Sequence, residues 1–301
     1  MKYSIDGIFT IDAQNGDVIP SANGTNNIMI SHAHYDHIPS TIRKKTVIAS
    51  DKTMSIVTHR LSRKKQEDSI HKNIMEGITM MDAGHTIGSK MFYYSDQRIL
   101  YTGDFRTVNS YCGRAKPIRC STLIIESTFA DEKYIFPKHS SILREIADYA
   151  KDNGRVQFHA YPYGKAQELC HLMEENNILF SVTDKIRKIN SLLGLHYKNE
   201  TDNARVHIGN DRMEEYKQVG VTGWAIDPSY KHRLRLDEAF ALSDHADYPS
   251  MIEFIRKCDP QRIYTFHGHS ARFAAKLRKA GFNAYPIIKN QTILPYYDRA
   301  L

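Results

Sequence analysis

Short apolar runs separated by polar and turn-forming residues make up the first part of the chain, and most of these runs have the length of a β-strand. The pattern predicts strands over residues 3–12, 27–30, 46–49, 78–82, 91–94, 98–102 and 121–126, with a hairpin turn at 95–97. Asp51 is placed to cap a helix whose apolar residues continue to Leu61. This part of the chain is therefore strand-rich.

From about residue 138 the pattern changes to helical and extended segments in alternation. It predicts helices over residues 140–151, 164–176, 184–195, 249–257 and 270–280. It predicts strands over residues 155–160, 178–182, 204–208, 223–226, 262–266 and 284–288. Alternation of this kind is typical of parallel βαβ units, so we expect a second domain.

Composition narrows the class of protein only modestly. The chain has 301 residues with 41 Lys and Arg against 34 Asp and Glu, and this net charge of +7 fits a polyanionic partner. Its four cysteines contain no CxxC pair, which indicates free thiols in a reducing cytosol. The first residues lack an apolar signal segment, and no run approaches the length of a bilayer span. We therefore expect a cytoplasmic protein without membrane attachment.

Residues 31–37 read Ser-His-Ala-His-Tyr-Asp-His and bring four ligand-type side chains directly after a predicted strand. Neutral imidazole and ionised carboxylate are ligands that Zn²⁺ takes in catalytic sites. His32 and His34 alternate, so an extended backbone points both side chains the same way. Asp36 and His37 follow where the chain turns and can reach a second point nearby. The spacing therefore suits two metal ions side by side.

Three more ligand-type residues follow predicted strands at distant places in the sequence. His85 lies between Gly84 and Gly88, where the chain can bend sharply, and Asp104 follows a strand and a glycine. His267 follows the strand 262–266 directly, and His269 is the weaker alternative. Each of these alone is more often structural than catalytic. Because strand ends gather on one edge of a sheet, we expect them to lie beside residues 31–37, with Asp104 able to bridge two metals.

These residues resemble a known family. The His-Ala-His-Tyr-Asp-His run with His85 and Asp104 resembles the metallo-β-lactamase fold. Residues 8–13 and 102–106 (Ile-Phe-Thr-Ile-Asp-Ala and Thr-Gly-Asp-Phe-Arg) narrow the resemblance to its β-CASP nucleases. Glu126 in Glu-Ser-Thr-Phe resembles their motif A, and His245 in Ser-Asp-His-Ala-Asp resembles motif B. His267 in Phe-His-Gly-His resembles motif C.

The resemblance implies an α/β fold, the metallo-β-lactamase αββα sandwich with an inserted β-CASP α/β domain. Residues 1–130 and 236–301 would then form the discontinuous metallo-β-lactamase domain. Residues 131–235 would form the β-CASP insertion domain, matching the change of pattern near residue 138.

Carried over to this chain, the resemblance also implies two metal positions. One zinc would be held by His32, His34, His85 and Asp104, and a second by Asp36, His37, Asp104 and His267. One or two zinc ions are expected, and Mn²⁺ or Mg²⁺ can substitute. Asp36 counts as a catalytic residue as well as a ligand. A metal-activated hydroxide would attack the phosphodiester while Glu126 supports His245, the general acid that protonates the leaving oxygen.

Substrate phosphates need positive or hydrogen-bonding groups near the metals. Residues 161–168 place Gly164 and Lys165 at a helix start, where free N–H groups attract an anion. The segment resembles the Gly-Lys-Glu-type segment of the Artemis and cross-link-repair nucleases, although an ordinary helix start with a solvated lysine remains open. Ser127, Thr128 and Ser243 are further, less supported phosphate contacts.

The substrate is nucleic acid, and features of two branches of the family are mixed. The opening segment, Gly-Asp-Phe-Arg and the Gly-Lys segment resemble the DNA-repair branch. Glu126 and His267 resemble the branch of messenger-RNA 3′-end processing factors and RNase J. We predict a 5′-to-3′ exonuclease on single-stranded DNA, with RNA as a further substrate. The alternatives are an RNA-processing nuclease of the 3′-end type, a small-molecule metallo-hydrolase and a silent scaffold subunit. The oligomeric state stays open.

Overall fold

The structure is a computed structural model that describes the backbone of residues 2–5, 9–12, 17–20 and 27–287 apart from residue 75, with side chains from residue 27 onward. Where one strand was predicted over residues 3–12, the described backbone forms two, Lys2–Ile5 and Phe9–Asp12. Residue 288, the predicted end of the last strand, lies outside the described residues.

The strands and helices are numbered in chain order. The strands are β1 (Lys2–Ile5), β2 (Phe9–Asp12), β3 (Asp17–Pro20), β4 (Asn27–Met29), β5 (Thr46–Ile48), β6 (Ile70–Lys72), β7 (Ile78–Asp82), β8 (Lys90–Tyr94), β9 (Ile99–Tyr101), β10 (Thr122–Glu126), β11 (Val156–His159), β12 (Phe180–Val182), β13 (Val206–Ile208), β14 (Lys217–Val221), β15 (Glu238–Phe240), β16 (Arg262–Phe266) and β17 (Ala284–Pro286). The α-helices are α1 (Asp51–Arg60), α2 (Arg63–Gln66), α3 (His139–Asp152), α4 (Lys165–Glu175), α5 (Asp184–Leu193), α6 (Tyr230–Arg233), α7 (Tyr248–Cys258) and α8 (Ser270–Lys279). Short 3₁₀ helices cover Tyr35–His37 and Gly223–Ile226. Within the described residues, none of the helices has the length and apolar character that a bilayer crossing requires.

Two six-stranded sheets pack face to face. The first has the order β1-β2-β3-β4-β5-β6, and the second has the order β17-β16-β10-β9-β8-β7. Met29 and Ile48 of the first sheet share one buried cluster with Phe92 and Ile124 of the second. Their chain neighbours point to the opposite faces, because successive strand residues alternate. The continuous apolar runs noted in the sequence are therefore strands buried on both faces.

Helices cover the outer faces of both sheets. On the first sheet, Ile28 and Val47 pack against apolar residues of α1 and α5. On the second, Leu123 and Ile263 pack against α7 and α8, which contribute residues such as Phe254 and Phe273. The order of layers is therefore helix, sheet, sheet and helix, and the predicted α/β class is confirmed.

A third sheet lies in the middle of the chain and is parallel throughout, in the order β12-β13-β11-β14-β15. Its core is formed with α3, α4 and α5, through residues such as Ile146, Leu169 and Ile186. The predicted alternation of helix and strand is observed here. The last strand, β15, lies after residue 235, the predicted end of the insertion, and that boundary remains a prediction.

One predicted strand is wrong. Residues 223–226 form a 3₁₀ helix, and the strand of this region is β14, which precedes it. Thr222 caps the 3₁₀ helix, because its hydroxyl oxygen accepts a hydrogen bond from the Trp224 N–H at 3.3 Å. A short apolar run such as Gly-Trp-Ala-Ile does not distinguish strand from helix by periodicity, so this cap decided the conformation.

Candidate metal centre and active site

The ligand-type residues lie beyond the carboxyl ends of strands that run in the same direction. Strand β10 is parallel to both β9 and β16, so the loops after all three leave from one edge of the second sheet. Asp104, Glu126 and His267 lie in or at the start of these loops, and β4 of the facing sheet leads into the His32 loop. This edge is where ligands bind in sheets with parallel strands.

Four of the predicted ligands form one tight group. His32 Nε2 and His85 Nε2 each lie 3.1 Å from His34 Nδ1. Asp104 Oδ2 lies 3.5 Å from His32 Nε2 and 3.7 Å from His85 Nε2. Ligands at the usual Zn–N distance of 2.0–2.1 Å in a tetrahedron are about 3.3 Å apart. The four atoms are therefore spaced as ligands of a single zinc ion would be.

The outward-facing ring nitrogens of the three histidines are all engaged. His32 Nδ1 lies 3.1 Å from the Ser31 hydroxyl. His34 Nε2 donates to the carbonyl oxygen of Tyr163 at 2.9 Å, and His85 Nδ1 donates to the carbonyl oxygen of Asp244 at 3.0 Å. Metal-binding histidines are usually fixed in this way, since the bond sets which nitrogen keeps its proton. In His34 and His85, whose outer nitrogens face carbonyl oxygens, the nitrogens that face inward are therefore left with free lone pairs.

The remaining predicted ligands form a second group on the other side of Asp104. One ligand atom from each of Asp36, His37 and His267 lies within 4.8 Å of the others. Asp104 Oδ2 is 3.4 Å from His37 Nε2, and Asp104 Oδ1 is 4.0 Å from His267 Nδ1. The single carboxylate of Asp104 thus touches both groups, as a bridging ligand does.

A close approach of two loops positions Asp104. Gly103 adopts φ of 54°, and a Cβ atom on it would lie 2.7 Å from Cβ of Ser31. Only glycine fits both the left-handed backbone and this contact. The Asp104 loop is thereby held against the loop that carries the histidines.

Burial controls the protonation of this cluster. Desolvation lowers the pKa of His85 to about 3 and also lowers the pKa of His32, so both imidazoles are neutral. Burial alone would raise the pKa of Asp104, but the His37 imidazole, followed by that of His245, holds it well below its ordinary value. Neutral imidazoles and an ionised carboxylate are the forms that bind zinc.

Several buried polar atoms of the cluster have no hydrogen-bond partner in the part of the chain that the structure describes. They are both ring nitrogens of His37 and Oδ1 of Asp104. Buried polar atoms are normally satisfied, because an unpaired one costs about 1–3 kcal/mol. A cation bound here would take Oδ1 of Asp104 and one of the two His37 nitrogens as ligands, so the residues present fit a divalent metal.

Glu126 and His245 form a buried pair beside the metal ligands. Glu126 Oε1 accepts a hydrogen bond from His245 Nδ1 at 2.8 Å, and its other oxygen accepts one from the Thr128 N–H at 2.8 Å. Burial would lower the pKa of His245, but the Glu126 carboxylate raises it to about 10. The His245 ring also lies 4.5 Å from that of His85, centroid to centroid. The pair therefore holds a charged imidazole against the ligand cluster.

The predicted phosphate contacts divide into two sets. Lys165 and Thr128 line a cavity above the cluster, and Lys165 Nζ lies 3.3 Å from Asp244 Oδ1. Ser127 is fully buried, and its hydroxyl lies 2.7 Å from the Phe266 carbonyl oxygen. Ser243 is also buried, and its oxygen accepts a hydrogen bond from the His245 N–H at 3.0 Å. The hydroxyl groups of both serines are used in hydrogen bonds to neighbouring loops. The positions of Ser127 and Ser243 therefore do not support the predicted contacts with phosphate.

Sequence reasoning missed a buried ion pair that braces the site. Arg106 Nη1 donates to Glu168 Oε1 at 3.0 Å and to the Ser243 carbonyl oxygen at 3.0 Å. His139 Nε2 lies 3.2 Å from the same Glu168 oxygen. The sequence signal for this pair was weak, because Arg106 ends the Thr-Gly-Asp-Phe-Arg segment and Glu168 ends the segment 161–168, and the two residues are 62 positions apart. The pair joins the second sheet to α4 of the third-sheet region.

A cavity of about 360 Å³ opens above both groups. The residues that line it include the ligand-type residues His85, Asp104 and His267 and the charged residues Lys165, Asp244 and His245. Its lining also includes four aromatic residues, which are Tyr35, Phe129, Tyr161 and Trp224.

Comparison with known proteins gives matches of three kinds. Residues 232–286 match the family model described as a Zn-dependent metallo-hydrolase RNA specificity domain. A probable DNA ligase of Opitutus terrae is 32% identical over 86% of this chain and 28% of its own length. Cleavage and polyadenylation specificity factor subunit 3-II of Arabidopsis thaliana is 33% identical over 31% of this chain and 16% of its own length. Endoribonuclease YSH1 of Mycosarcoma maydis is 35% identical over 33% of this chain and 12% of its own length.

A solved structure shares the fold. It is a protein of unknown function from Enterococcus faecalis, with a TM-score of 0.61 and 13% identity over 88% of this chain and 80% of that one. The chain spans less than a third of the length of the three curated relatives named above. The four-layer sandwich, the ligand-type residues at its strand ends and these relatives together show that the chain belongs to the β-CASP family of the metallo-β-lactamase fold.

Proposed function

We propose that the protein is a metal-dependent nuclease that hydrolyses phosphodiester bonds of nucleic acid. The observation that carries the proposal is the arrangement around Asp104. Its carboxylate lies between two groups of ligand-type residues, and one atom each of Asp104, Glu126 and His245 lie within 4.8 Å of one another. Metal ligands and a positioned acid at one point are what hydrolysis of an unreactive phosphodiester requires.

His32, His34, His85 and Asp104 would hold one divalent cation, and Asp36, His37, His267 and Asp104 a second. Zinc is the expected ion, with Mn²⁺ or Mg²⁺ as substitutes. When bound, such cations activate a water molecule and neutralise charge that develops on the phosphoryl oxygens.

His245 is proposed to protonate the leaving oxygen. Glu126 accepts the hydrogen bond from Nδ1, so Nε2 is the ring nitrogen that can face the substrate. The carboxylate also fixes the ring orientation and stabilises its charged form. Lys165 is proposed to contact substrate phosphate, because it lines the cavity at the N-terminus of α4. Its ammonium is paired with Asp244, so phosphate would share that charge.

We propose single-stranded DNA as the substrate and degradation from its 5′ end. It is supported by the match to a probable DNA ligase, which covers 86% of this chain, whereas the matches to RNA-processing relatives named above cover about a third. The net charge of +7 fits either nucleic acid. The alternative is an RNA-processing nuclease, which the RNA specificity family model and the match to an endoribonuclease favour.

A nuclease assay with metal analysis tests the proposal. The purified chain would be assayed on single-stranded DNA and RNA labelled at either end, with and without a 5′-phosphate, after its zinc and manganese content is measured. We expect early release of the 5′ label from DNA and loss of all activity in EDTA. His34→Ala should lose activity, while His196→Ala, at an exposed histidine outside the cluster, should keep it.

The outcomes separate the alternatives. Internal cleavage of RNA with little action on DNA would favour the RNA-processing reading. Bound metal with hydrolysis of lactones or thioesters only would favour a small-molecule hydrolase. A folded chain that binds no metal would favour a scaffold subunit and overturn the proposal.

A further inference from the structure

Three large exposed aromatic residues surround the mouth of the active-site cavity. Tyr35 is 65% exposed, Tyr161 is 70% exposed and Trp224 is 43% exposed. All three line the same 360 Å³ cavity, although they come from the His32 loop, the loop after β11 and the 3₁₀ helix after β14. Exposed apolar surface gathered at one place marks an interaction site more often than chance packing does. We call these residues the aromatic rim.

Trp224 is held firmly from behind. Its ring lies 4.6 Å from that of Phe129 and 5.7 Å from that of Tyr134, measured between centroids. A Cβ atom on Gly223 would lie 2.7 Å from Cζ of Phe129, so the absence of a side chain there allows the 3₁₀ helix to pack this closely. Because one face is packed and nearly half the residue is exposed, Trp224 presents a fixed aromatic surface.

Tyr35 is backed by a cation. The Arg60 guanidinium carbon lies 4.1 Å from the centre of the Tyr35 ring, and Arg60 also donates a hydrogen bond to the Ala33 carbonyl oxygen. Arg60 thereby connects the ring to the loop of the metal ligands. Tyr35 directly precedes Asp36, so its position is tied to the second ligand group.

The size and lining of the cavity limit what can bind there. A volume of about 360 Å³ is at the lower end of ligand pockets, which span about 300–1,000 Å³. It suits one nucleotide, with its base toward the rim and its phosphate above the two ligand groups, where bound cations would offset the negative charge of Asp104. A paired base would keep its neighbours and its complement, and would not reach the rings. Aromatic faces bind the face of any base, because every base has a π surface.

We propose that the aromatic rim is a base-stacking subsite that holds unpaired nucleotides beside the scissile phosphate. The rim then selects single strands without regard to base sequence, and it accepts DNA and RNA bases alike. This inference rests on the proposed nuclease function and specifies its substrate as an unstacked strand.

The single tryptophan of the chain gives a direct test. Trp224 is the only tryptophan among the 301 residues, so intrinsic tryptophan fluorescence reports on this ring alone. Oligo(dT) and oligo(rU) would be titrated into the metal-free protein in EDTA. We expect quenching by both strands, and little quenching by a blunt duplex of equal length. The midpoints of the two titrations show which strand binds more tightly.

Variants of the aromatic rim give a second test of the proposal. Tyr161→Ala should raise the midpoint of the quenching titration about tenfold, since stacking contributes about 1–3 kcal/mol per base. Tyr161→Phe keeps the ring and should restore most of the affinity. Tyr111→Ala removes an exposed aromatic residue that does not line the cavity and should match the unmodified chain. At 70% exposure, Tyr161 is replaceable without loss of the fold, and a thermal melt verifies this.

Activity separates the rim from the nuclease proposal. With metal restored, Trp224→Ala should reduce cleavage of oligonucleotides at least tenfold more than hydrolysis of bis-p-nitrophenyl phosphate, which has no base. Equal losses on both substrates, or an absence of quenching in the unmodified chain, would overturn the proposal that the aromatic rim stacks bases. Quenching and Tyr161 dependence without any nucleic-acid hydrolysis would instead overturn the nuclease proposal and leave a single-strand binding site.

Discussion

Two buried polar clusters lie close together in this protein, and they differ in how their polar atoms are satisfied. The cluster around Asp104 contains buried ring nitrogens and a carboxylate oxygen that have no hydrogen-bond partner. The cluster around Glu168 pairs its carboxylate with Arg106 and His139. Of these three side chains, Arg106 alone has a buried atom, Nη2, without a hydrogen-bond partner among the described residues. Both clusters join segments that are far apart in sequence.

The difference distinguishes a ligand site from a structural brace. Unpaired buried atoms on converging side chains leave bonding capacity for an ion. A buried carboxylate that is already paired has no such capacity, and removing its partner leaves an uncompensated charge. We therefore expect substitutions at Asp104 to remove function, and substitutions at Arg106 to remove stability.

The largest expected effect is at Asp104. Asp104→Ala should abolish hydrolysis and reduce bound metal, because this carboxylate touches both ligand groups. The metal-free variant should remain folded, since Oδ1 of this carboxylate has no hydrogen-bond partner among the described residues. Activity, metal content by mass spectrometry and a thermal melt in EDTA check this. Full activity in this variant would refute the two-group assignment.

The next largest effect is at His245. His245→Ala should slow hydrolysis by about 10²–10⁴-fold while the bound metal stays, as expected of a general acid. Glu126→Gln should act in the same direction with a smaller loss, because the imidazole keeps its place but loses the carboxylate that stabilises its charge. Single-turnover rates and metal content are the measurements. Loss of metal in His245→Ala would make this residue a ligand instead.

A stability effect is expected at the brace. Arg106→Met should destabilise the fold by about 3–5 kcal/mol, because Glu168 is left buried and charged. The double variant Arg106→Met with Glu168→Met should recover part of that loss. Urea unfolding measures both.

An exposed arginine supplies the control for the brace. Arg187 pairs with Glu200 at 2.8 Å, but its side chain is 45% exposed, so Arg187→Met should cost about 1 kcal/mol or less. Equal losses at Arg106 and Arg187 would show that burial of the Arg106–Glu168 pair does not matter.

The last expected effect is a dependence of stability on acid. Burial would raise the pKa of Glu168, but Arg106 and its neighbours lower it to about 2. The pKa in the folded chain is thus below that of the unfolded chain, so the stabilisation is present above about pH 4.5 and is lost as pH falls toward 2. The loss is on the order of 3 kcal/mol.

Comparison with Glu168→Gln isolates that contribution from other acidic groups. Urea unfolding of both proteins from pH 5.5 to 3 should show a steeper loss in the unmodified chain, because glutamine does not titrate. Parallel curves for the two proteins would place the acid sensitivity at other carboxylates.

Local patterns explain which parts of the fold were predictable. Helix α7 was predicted within a residue at each end, since Asp247 caps it and its apolar residues recur at helical spacing. Strand β10 was predicted from a continuous apolar run ending in Glu126. Strand β14 was missed, because its sequence Lys-Gln-Val-Gly-Val is less apolar than the neighbouring Gly-Trp-Ala-Ile run, which was predicted as the strand.

The sequence by itself determined the residue types of the metal site. His32, His34, Asp36 and His37 are close along the chain, so their proximity needs no long-range contact. Alternation along an extended backbone predicts that His32 and His34 point the same way, and the turn that follows predicts that Asp36 and His37 point toward a second position. His85, Asp104 and His267 were predicted from their places after strands, which share one edge of the second sheet.

Only the tertiary structure decided how the atoms are used. It paired Lys165 with Asp244, turned the Ser127 hydroxyl toward a carbonyl oxygen, and brought Tyr161 and Trp224 to one cavity. The Lys165–Asp244 pair and the shared cavity of Tyr161 and Trp224 depend on the packing of the third-sheet region against the sandwich. Ser127 and Phe266 are instead brought together, across 139 positions, by the pairing of β10 with β16 in the second sheet. A local pattern sets the direction of a side chain from its own backbone, whereas its partner is set by sheet register and layer packing.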